Sequence, residues 1–325
     1  MTAPTQLPFL SVIAPLYNGR DDVPALLDCL AAQTYPGDRL ELLLVDNNSQ
    51  DETFRILQGA VERFQTLGFT LVPLQELEIQ SSYAARNRGI QASQGEIFAF
   101  LDGDCRPHPD WLENLVRPFM EKNGETIGMV AGEIQALPGN SRLERYADRQ
   151  DILSQKHTLA NPFFPYGQTA NLAIHRHILE KIGLFRSYLT TGGDADICWR
   201  MQQKTPYKIV LAPNAIVRHR HRATLADFRS QFRRYGKSNT YLHQLHGVPL
   251  MKPWSQLDYW RRTLRWMMKE TPIAIAKRLL GRATWEDLDL DLLGTPLELL
   301  GMRSRYAGQQ TAQLPERARH IPPMP

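Results

Sequence analysis

Two carboxylates one residue apart, Asp102 and Asp104, follow directly on the bulky apolar run 97–101. Acids arriving where a buried strand ends lie in the crevice in which open α/β sheets bind ligands. Gly103 between them allows close backbone approach, and the two charges repel unless a proton or a cation relieves them. The chemistry is that of oxygen ligands to a divalent metal, which in turn holds a phosphate. The alternative is a turn with solvated acids. Arg86, on a helical stretch over 82–92 with Asn87 and Arg88, offers a guanidinium to phosphates. Two more polar loops begin at Pro15 (Pro-Leu-Tyr-Asn-Gly) and Asp46 (Asp-Asn-Asn-Ser), each after an apolar run of its own.

The elements that must position these loops follow from periodicity. Residues 9–14 form a short buried strand that Pro15 stops, and 21–33 sets Val23, Leu26, Leu27 and Leu30 on one helical face. A strand over 40–45 and a helix over 51–65 repeat the unit. A strand over 69–74, the 82–92 helix and the strand before Asp102 extend it. This alternation predicts an α/β fold with right-handed crossovers and a mostly parallel sheet flanked by helices, its loops converging at one edge. Further on, a helix starts at 109–113, and strands lie over 127–131 and 207–212, the latter ending at Pro213. The stretch 135–166 contains Pro138, Pro162 and Pro165 and is expected to be irregular, either a mobile wall over the site or an ordinary connection.

Composition limits the class. Cys29, Cys105 and Cys198 include no Cys-x-x-Cys pair, so neither a disulfide framework nor a zinc site is encoded, and a reducing, cytoplasmic compartment is expected. Residues 1–8 lack a secretory pattern, and no uncharged apolar run approaches ~18 residues. The expectation is a soluble protein or one held peripherally at the inner face of a membrane. Net charge is +4 but uneven: 218–282 holds 15 Lys and Arg against Asp227, Asp258 and Glu270, a surplus of 12 that leaves the remainder at −8. An acidic front suits a metal, and a basic back suits anionic lipid or a phosphate-bearing substrate. No Gly-x-Gly-x-x-Gly follows the first strand. Gly236-Lys237-Ser238 has Gln231 where a P-loop needs glycine, and it reads as a helix end.

Four segments taken together carry a resemblance: Val12-Ile-Ala-Pro-Leu-Tyr-Asn18, Val45-Asp-Asn-Asn-Ser49, Ala84-Ala-Arg-Asn-Arg-Gly89 and Phe100-Leu-Asp-Gly-Asp104. In order and spacing, over about residues 8–240, they resemble the signatures of family-two glycosyltransferases of the GT-A fold. The resemblance implies inverting transfer from a nucleoside diphosphate sugar, a UDP-sugar for preference, with Mn²⁺ or Mg²⁺. It places Pro15, Tyr17, Asn18, Asp46, Asn48, Arg86, Asp102 and Gly103 on the donor. Asp46 would meet the nucleobase, Arg86 the nucleotide, Asp102 the ribose and metal region, and Asp104 the metal. Asn171, Gly193 and Asp196 fall in the acceptor-side block, where Gly193-Asp194 stands in place of the usual Glu-Asp. Asp194 takes the role of general base, with Asp196 as competitor or as a helix cap, and His219 is the matching imidazole for the metal.

The division expected is a catalytic domain over 1–245 and a helical, basic, amphipathic extension over 246–325. Phe228, Phe232 and Tyr235 fall at helical spacing among basic residues, and Leu257, Trp260, Leu264 and Met267 repeat the pattern until Pro272 breaks it. Such a stripe packs on the protein or on another copy, or it lies at an anionic membrane surface. Thr284-Trp-Glu-Asp287 is a helix start, and the end from Arg303 is expected to be loose. The resemblance leaves a lipid-linked oligosaccharide, a growing polysaccharide and a protein compatible as acceptor, and a saccharide or lipid-linked group of cell-envelope or extracellular polysaccharide synthesis is expected. Nucleic acid is not an expected partner, since no nucleic-acid motif accompanies the basic tail. A sugar-nucleotide binder without activity and a nucleotidyltransferase are the alternatives, the latter lacking its Gly/Arg-rich loop after the first strand.

Overall fold

Strands whose residues are apolar on both faces must be covered on both, and these form the centre of the sheet. The computed structural model describes residues 7–325. In chain order the elements are β1 (Leu10–Leu16), α1 (Val23–Ala31), β2 (Leu40–Asp46), α2 (Thr53–Thr66), β3 (Thr70–Gln75), α3 (Ser82–Ala92), β4 (Ile97–Leu101), β5 (Cys105–Pro107), α4 (Trp111–Met120) and β6 (Ile127–Ala136). Then follow α5 (Arg142–Arg149), α6 (Gln155–Leu159), β7 (Asn171–His175), α7 (Arg176–Ile182), α8 (Gly193–Lys204), β8 (Lys208–His219), α9 (Leu225–His246), α10 (Gln256–Arg265), α11 (Thr271–Leu279) and α12 (Trp285–Thr311). Contacts divide the chain into two units. The first holds residues up to 136, 153–219 and 315–325, and the second holds 137–152 and 220–314.

The first unit is one sheet in the order β3-β2-β1-β4-β7-β6-β8-β5. The pairs β1–β2, β1–β4, β2–β3 and β6–β8 are parallel, whereas β4–β7, β6–β7 and β5–β8 are antiparallel. Every residue of β2 and β4 is buried, and Leu10, Val12, Leu42, Leu44, Leu101 and Trp111 belong to one apolar cluster with α1, α2 and α4. The fold is thus α/β with a mostly parallel sheet flanked by helices, as the periodicity indicates.

Two prolines behave differently from the sequence expectation. β1 runs through Pro15 to Leu16, in register with Val45 and Asp46. It loses β4 as a partner after Ile13, and the Leu16 carbonyl accepts from Asn47 N on the β2 side, so Pro15 faces the vacated side where no N–H is required. β8 likewise continues past Pro213: its pairing with β6 jumps from Ala212 to Ile216, and the irregularity takes up the proline. The stretch 135–166 is less irregular than expected, because β6 extends to Ala136 and α5 and α6 lie within it. Ser141 and Glu144 close a capping box on α5.

The second unit is helical. Gly236, expected at a helix end, lies in the middle of α9, where a Cβ would stand 1.8 Å from the Arg305 carbonyl oxygen of α12. Gly308 makes the reciprocal approach to Arg233. These glycines let two backbones cross closely, so Gly236→Val is expected to destabilise the chain by about 1–3 kcal/mol through overpacking. Urea unfolding followed by helical dichroism reads this, and an unchanged midpoint would contradict the close crossing. Pro272 does not break its helix, since the turn Trp266–Glu270 widens to a π-helix between α10 and α11 and Thr271 N donates to Trp266 O. The second unit takes in the chain from Arg220 because α9 packs on α12.

The carboxyl-terminal end is ordered by the first unit rather than loose. Helix α12 continues through Arg303 to Thr311. Residues 315–325 then return: Leu184 N donates to Pro322 O at 2.8 Å, Arg186 donates to the Arg319 carbonyl, and Ala318 is fully buried.

Candidate active site

The carboxyl ends of β1, β2 and β4 deliver three loops side by side. Asn18 N donates to Ser49 Oγ at 2.8 Å and Gln50 N returns a bond to Asn18 Oδ1 at 2.8 Å, so the first two loops are laced together. Asn18 and Asn48 have φ of +46° and +62°, a left-handed turn that asparagine tolerates. Asp46 is buried and accepts from Ser49 N and Gln75 Nε2, both at 3.3 Å. Tyr17 is 55% exposed, its ring open to a stacking partner. Gly103 sits over the first loop, where a Cβ would meet Leu16 Cδ2 at 2.5 Å.

Helix α3 brings the arginine. Ser81 caps it by accepting from Tyr83 N, and Asn87 anchors it to Phe185 and Ser187. Arg86, only 3% exposed, donates Nη2 to Asp102 Oδ1 at 2.5 Å. Its Nε is buried without a partner, a donor that a phosphate oxygen would satisfy.

Pairing of β5 with β8 sets Cys105 opposite His219, which brings Asp104 Oδ1 to 3.2 Å from His219 Nε2. Adjacent ligands on an octahedral ion with bonds of ~2.1 Å stand about 3 Å apart, so this pair fits a divalent metal. Cys105 Sγ completes a cluster of ligand atoms lying within 4.8 Å of one another. Burial pushes the Cys105 thiol well up, aided by Asp104 and Asp102, so it stays protonated. The available donors are therefore a carboxylate and an imidazole, which suit Mn²⁺ better than a thiophilic metal.

Helix α8 supplies the remaining acids. Its start is set by Gly192 at φ +81°, and Asp194 follows in the first turn, half-buried, accepting from Thr169 Oγ1 at 2.9 Å. Burial raises the Asp194 pKa, Arg86 opposes the rise and Asp102 adds to it, which puts all three in one field. Ionised Asp194 therefore costs the fold stability above its raised pKa, and that cost vanishes below the unfolded carboxylate value near 3.8. Asp194→Asn is expected to raise Tm at neutral pH, with the gain over wild type shrinking as pH falls through that window. A gain independent of pH in a thermal-shift series would contradict this.

The other sequence-assigned residues have structural partners. Asp196 is fully buried between Arg186 Nε at 3.0 Å and Arg200 Nε at 2.9 Å. It is held as a counter-ion, so it neither faces an acceptor nor caps α8. Asn171 is also fully buried: its Nδ2 donates to Glu133 O and Ala215 O, and its Oδ1 accepts from Trp111 Nε1. This ties β6, β7, β8 and α4 together and leaves nothing for an acceptor. Gly193 is buried against Tyr83, whose hydroxyl accepts from Gly193 N at 2.9 Å and whose ring lies 2.6 Å from where a Cβ would be. Tyr83 thus occupies the space of a side chain at 193. It also stacks on Phe185 and lies 5.5 Å below the Arg86 guanidinium carbon. Sequence reading missed Tyr83 and Thr169, which reach the site from 110 and 25 residues away.

Comparison with known proteins places this sheet among GT-A folds. The chain belongs to glycosyl transferase family 2, whose signature matches residues 11–188. It is 35% identical over 249 residues to "Glycosyltransferase AglE" of Haloferax volcanii, spanning 76% of this chain and 78% of that protein. It is 27% identical over 248 residues to "Amylovoran biosynthesis glycosyltransferase AmsB" of Erwinia amylovora, spanning 75% and 77%. Among solved structures it resembles the mannosyltransferase PcManGT of Pyrobaculum calidifontis in complex with GDP-Man and Mn²⁺, at TM-score 0.58 and 20% identity over 94% of this chain and 85% of that one. At that identity the likeness is one of fold.

Proposed function

We propose that this chain transfers a sugar, with inversion, from a nucleoside diphosphate sugar to an acceptor hydroxyl in polysaccharide synthesis, with a UDP-sugar as the favoured donor. The observation that carries the reading is the half-buried Asp194 carboxylate sharing one field with the Arg86–Asp102 pair. The reaction needs a base for the acceptor and positive charge for the departing diphosphate, roles for which Asp194 and Arg86 are suited.

Asp194 takes the proton from the attacking hydroxyl. Its raised pKa makes it a better base than an ordinary carboxylate, and the Thr169 hydroxyl fixes one of its oxygens. Arg86 turns its unspent N–H toward a phosphate oxygen, held in place by Asp102 and Tyr83. Asp46 and the exposed Tyr17 bound the nucleoside end. Asp104 and His219, with Asp102, would hold Mn²⁺ or Mg²⁺, whose charge neutralises the leaving diphosphate. The Mn²⁺ in the Pyrobaculum complex supports the cofactor, and the biosynthetic glycosyltransferase role in the name of the Erwinia relative supports the reaction class. A saccharide or a lipid-linked group fits as acceptor.

Asp104→Ala is expected to weaken UDP binding in the presence of Mn²⁺ by about 10–100-fold and to leave binding in chelator unchanged. Calorimetric titration measures this. Equal affinity of the wild type with and without Mn²⁺ would remove Asp104 from the metal.

A further inference from the structure

Helices α10 and α11, joined through the π-turn, form one helical stretch from Gln256 to Leu279 whose large apolar residues are not buried. Leu257, Trp260, Leu264 and Met268 recur every three to four residues on one face running into the π-turn, and Ile275 and Leu279 stand one helical turn apart beyond it. Trp260 is 63% exposed, Met268 77% and Leu279 81%. Isolated exposed apolar residues need no explanation, but a continuous face of this kind marks an interaction surface.

Charge identifies what lies against it. Arg261, Lys269 and Lys277 along this stretch, and Lys252 just before it, are exposed and hold no salt bridge among the described residues. Beside the face a recess of ≈ 620 Å³ opens, lined by Lys252, Trp254, Arg261, Arg262 and Arg265 against the one acid Asp258, so its charge is positive. A second copy of this chain seated through the same α10–α11 face would bring like charge against it. No helix is long and apolar enough to cross a membrane among the described residues. An apolar face with tryptophan, rimmed by basic residues in excess of the acids beside them, is complementary to an interface whose interior is hydrocarbon and whose surface is anionic.

We propose that the α10–α11 face docks on an anionic lipid bilayer, with Trp260, Met268 and Leu279 entering the acyl boundary and Lys252 and Arg261 receiving headgroup phosphates. The proposal stands whatever sugar the first unit transfers. Its test is co-sedimentation of the full chain with vesicles of phosphatidylglycerol and phosphatidylcholine, or of phosphatidylcholine alone. Binding is expected to the anionic vesicles only, and to be abolished in the combined variant Trp260→Ser, Met268→Ser, Leu279→Ser. Lys252→Ser with Arg261→Ser is expected to weaken it about 25-fold. All five side chains are at the surface, so unchanged Tm checks that each variant folds. The proposal fails if anionic vesicles are not bound or if the triple variant binds as tightly as wild type. It also fails if a dimer that the triple variant dissolves accounts for the face in place of vesicle binding. Release by inorganic phosphate beyond that caused by chloride at equal ionic strength would assign the recess to a free anion and overturn the lipid assignment.

Discussion

Asp194→Asn is expected to lower kcat by about 10²–10⁴-fold with little change in nucleotide affinity. Asparagine keeps the shape of the side chain and can still accept from Thr169 Oγ1, but it cannot take a proton. Removing a negative charge near Asp102 and a bound diphosphate does not weaken donor binding. The effect therefore falls on turnover, the signature of an interaction used only in the transition state. Wild-type kcat is expected to rise with pH through the Asp194 pKa, because only the ionised form is a base, and burial shifts that limb upward from the usual carboxylate range. Unchanged turnover in the variant would place the base elsewhere.

Asp196→Ala acts on the fold instead. It strips the counter-ion from Arg186 and Arg200, and Arg200 is 2% exposed with its remaining donors on the Ile182 and Leu184 carbonyls. Burial already lowers the Arg200 pKa, with Asp196 as the main opposing influence. Leaving buried guanidinium charge uncompensated costs about 3–5 kcal/mol, enough to unfold a marginal domain. Thermal unfolding and the soluble fraction on expression measure it. A variant with native stability and lost turnover would contradict the counter-ion role and return Asp196 to the chemistry.

The two variants separate acids two residues apart that the sequence alone does not rank. Both lie in the first turn of α8, and only the fold shows one half-buried beside Arg86 and the other wholly enclosed by arginines. The front of the sheet was legible because β1, β2 and β4 are runs buried on both faces and each ends in a polar loop. The antiparallel strand β7 was not, since Asn171–His175 is too short to show a period. Pro15 and Pro213 carry the signal of a strand end, although each occupies a place where the ladder wants no donor. Gly236 carried a second misleading signal: helix propensity disfavours it, and a backbone crossing with α12 requires it. Tyr83 and Thr169 gave no signal, because their roles arise from contacts across the chain. Gly193 gave a partial one, its lack of a side chain being the mark of a neighbour that fills the space.

The most direct test of the central claim is a calorimetric titration of the wild-type chain with UDP, GDP and their common sugars, each with Mn²⁺ and with chelator. Tight binding of one nucleotide and its sugar that depends on Mn²⁺, with UDP as the expected nucleotide, is the predicted result. Absence of metal-dependent binding by every member of that panel would contradict a donor site at the Asp102–Asp104 loop.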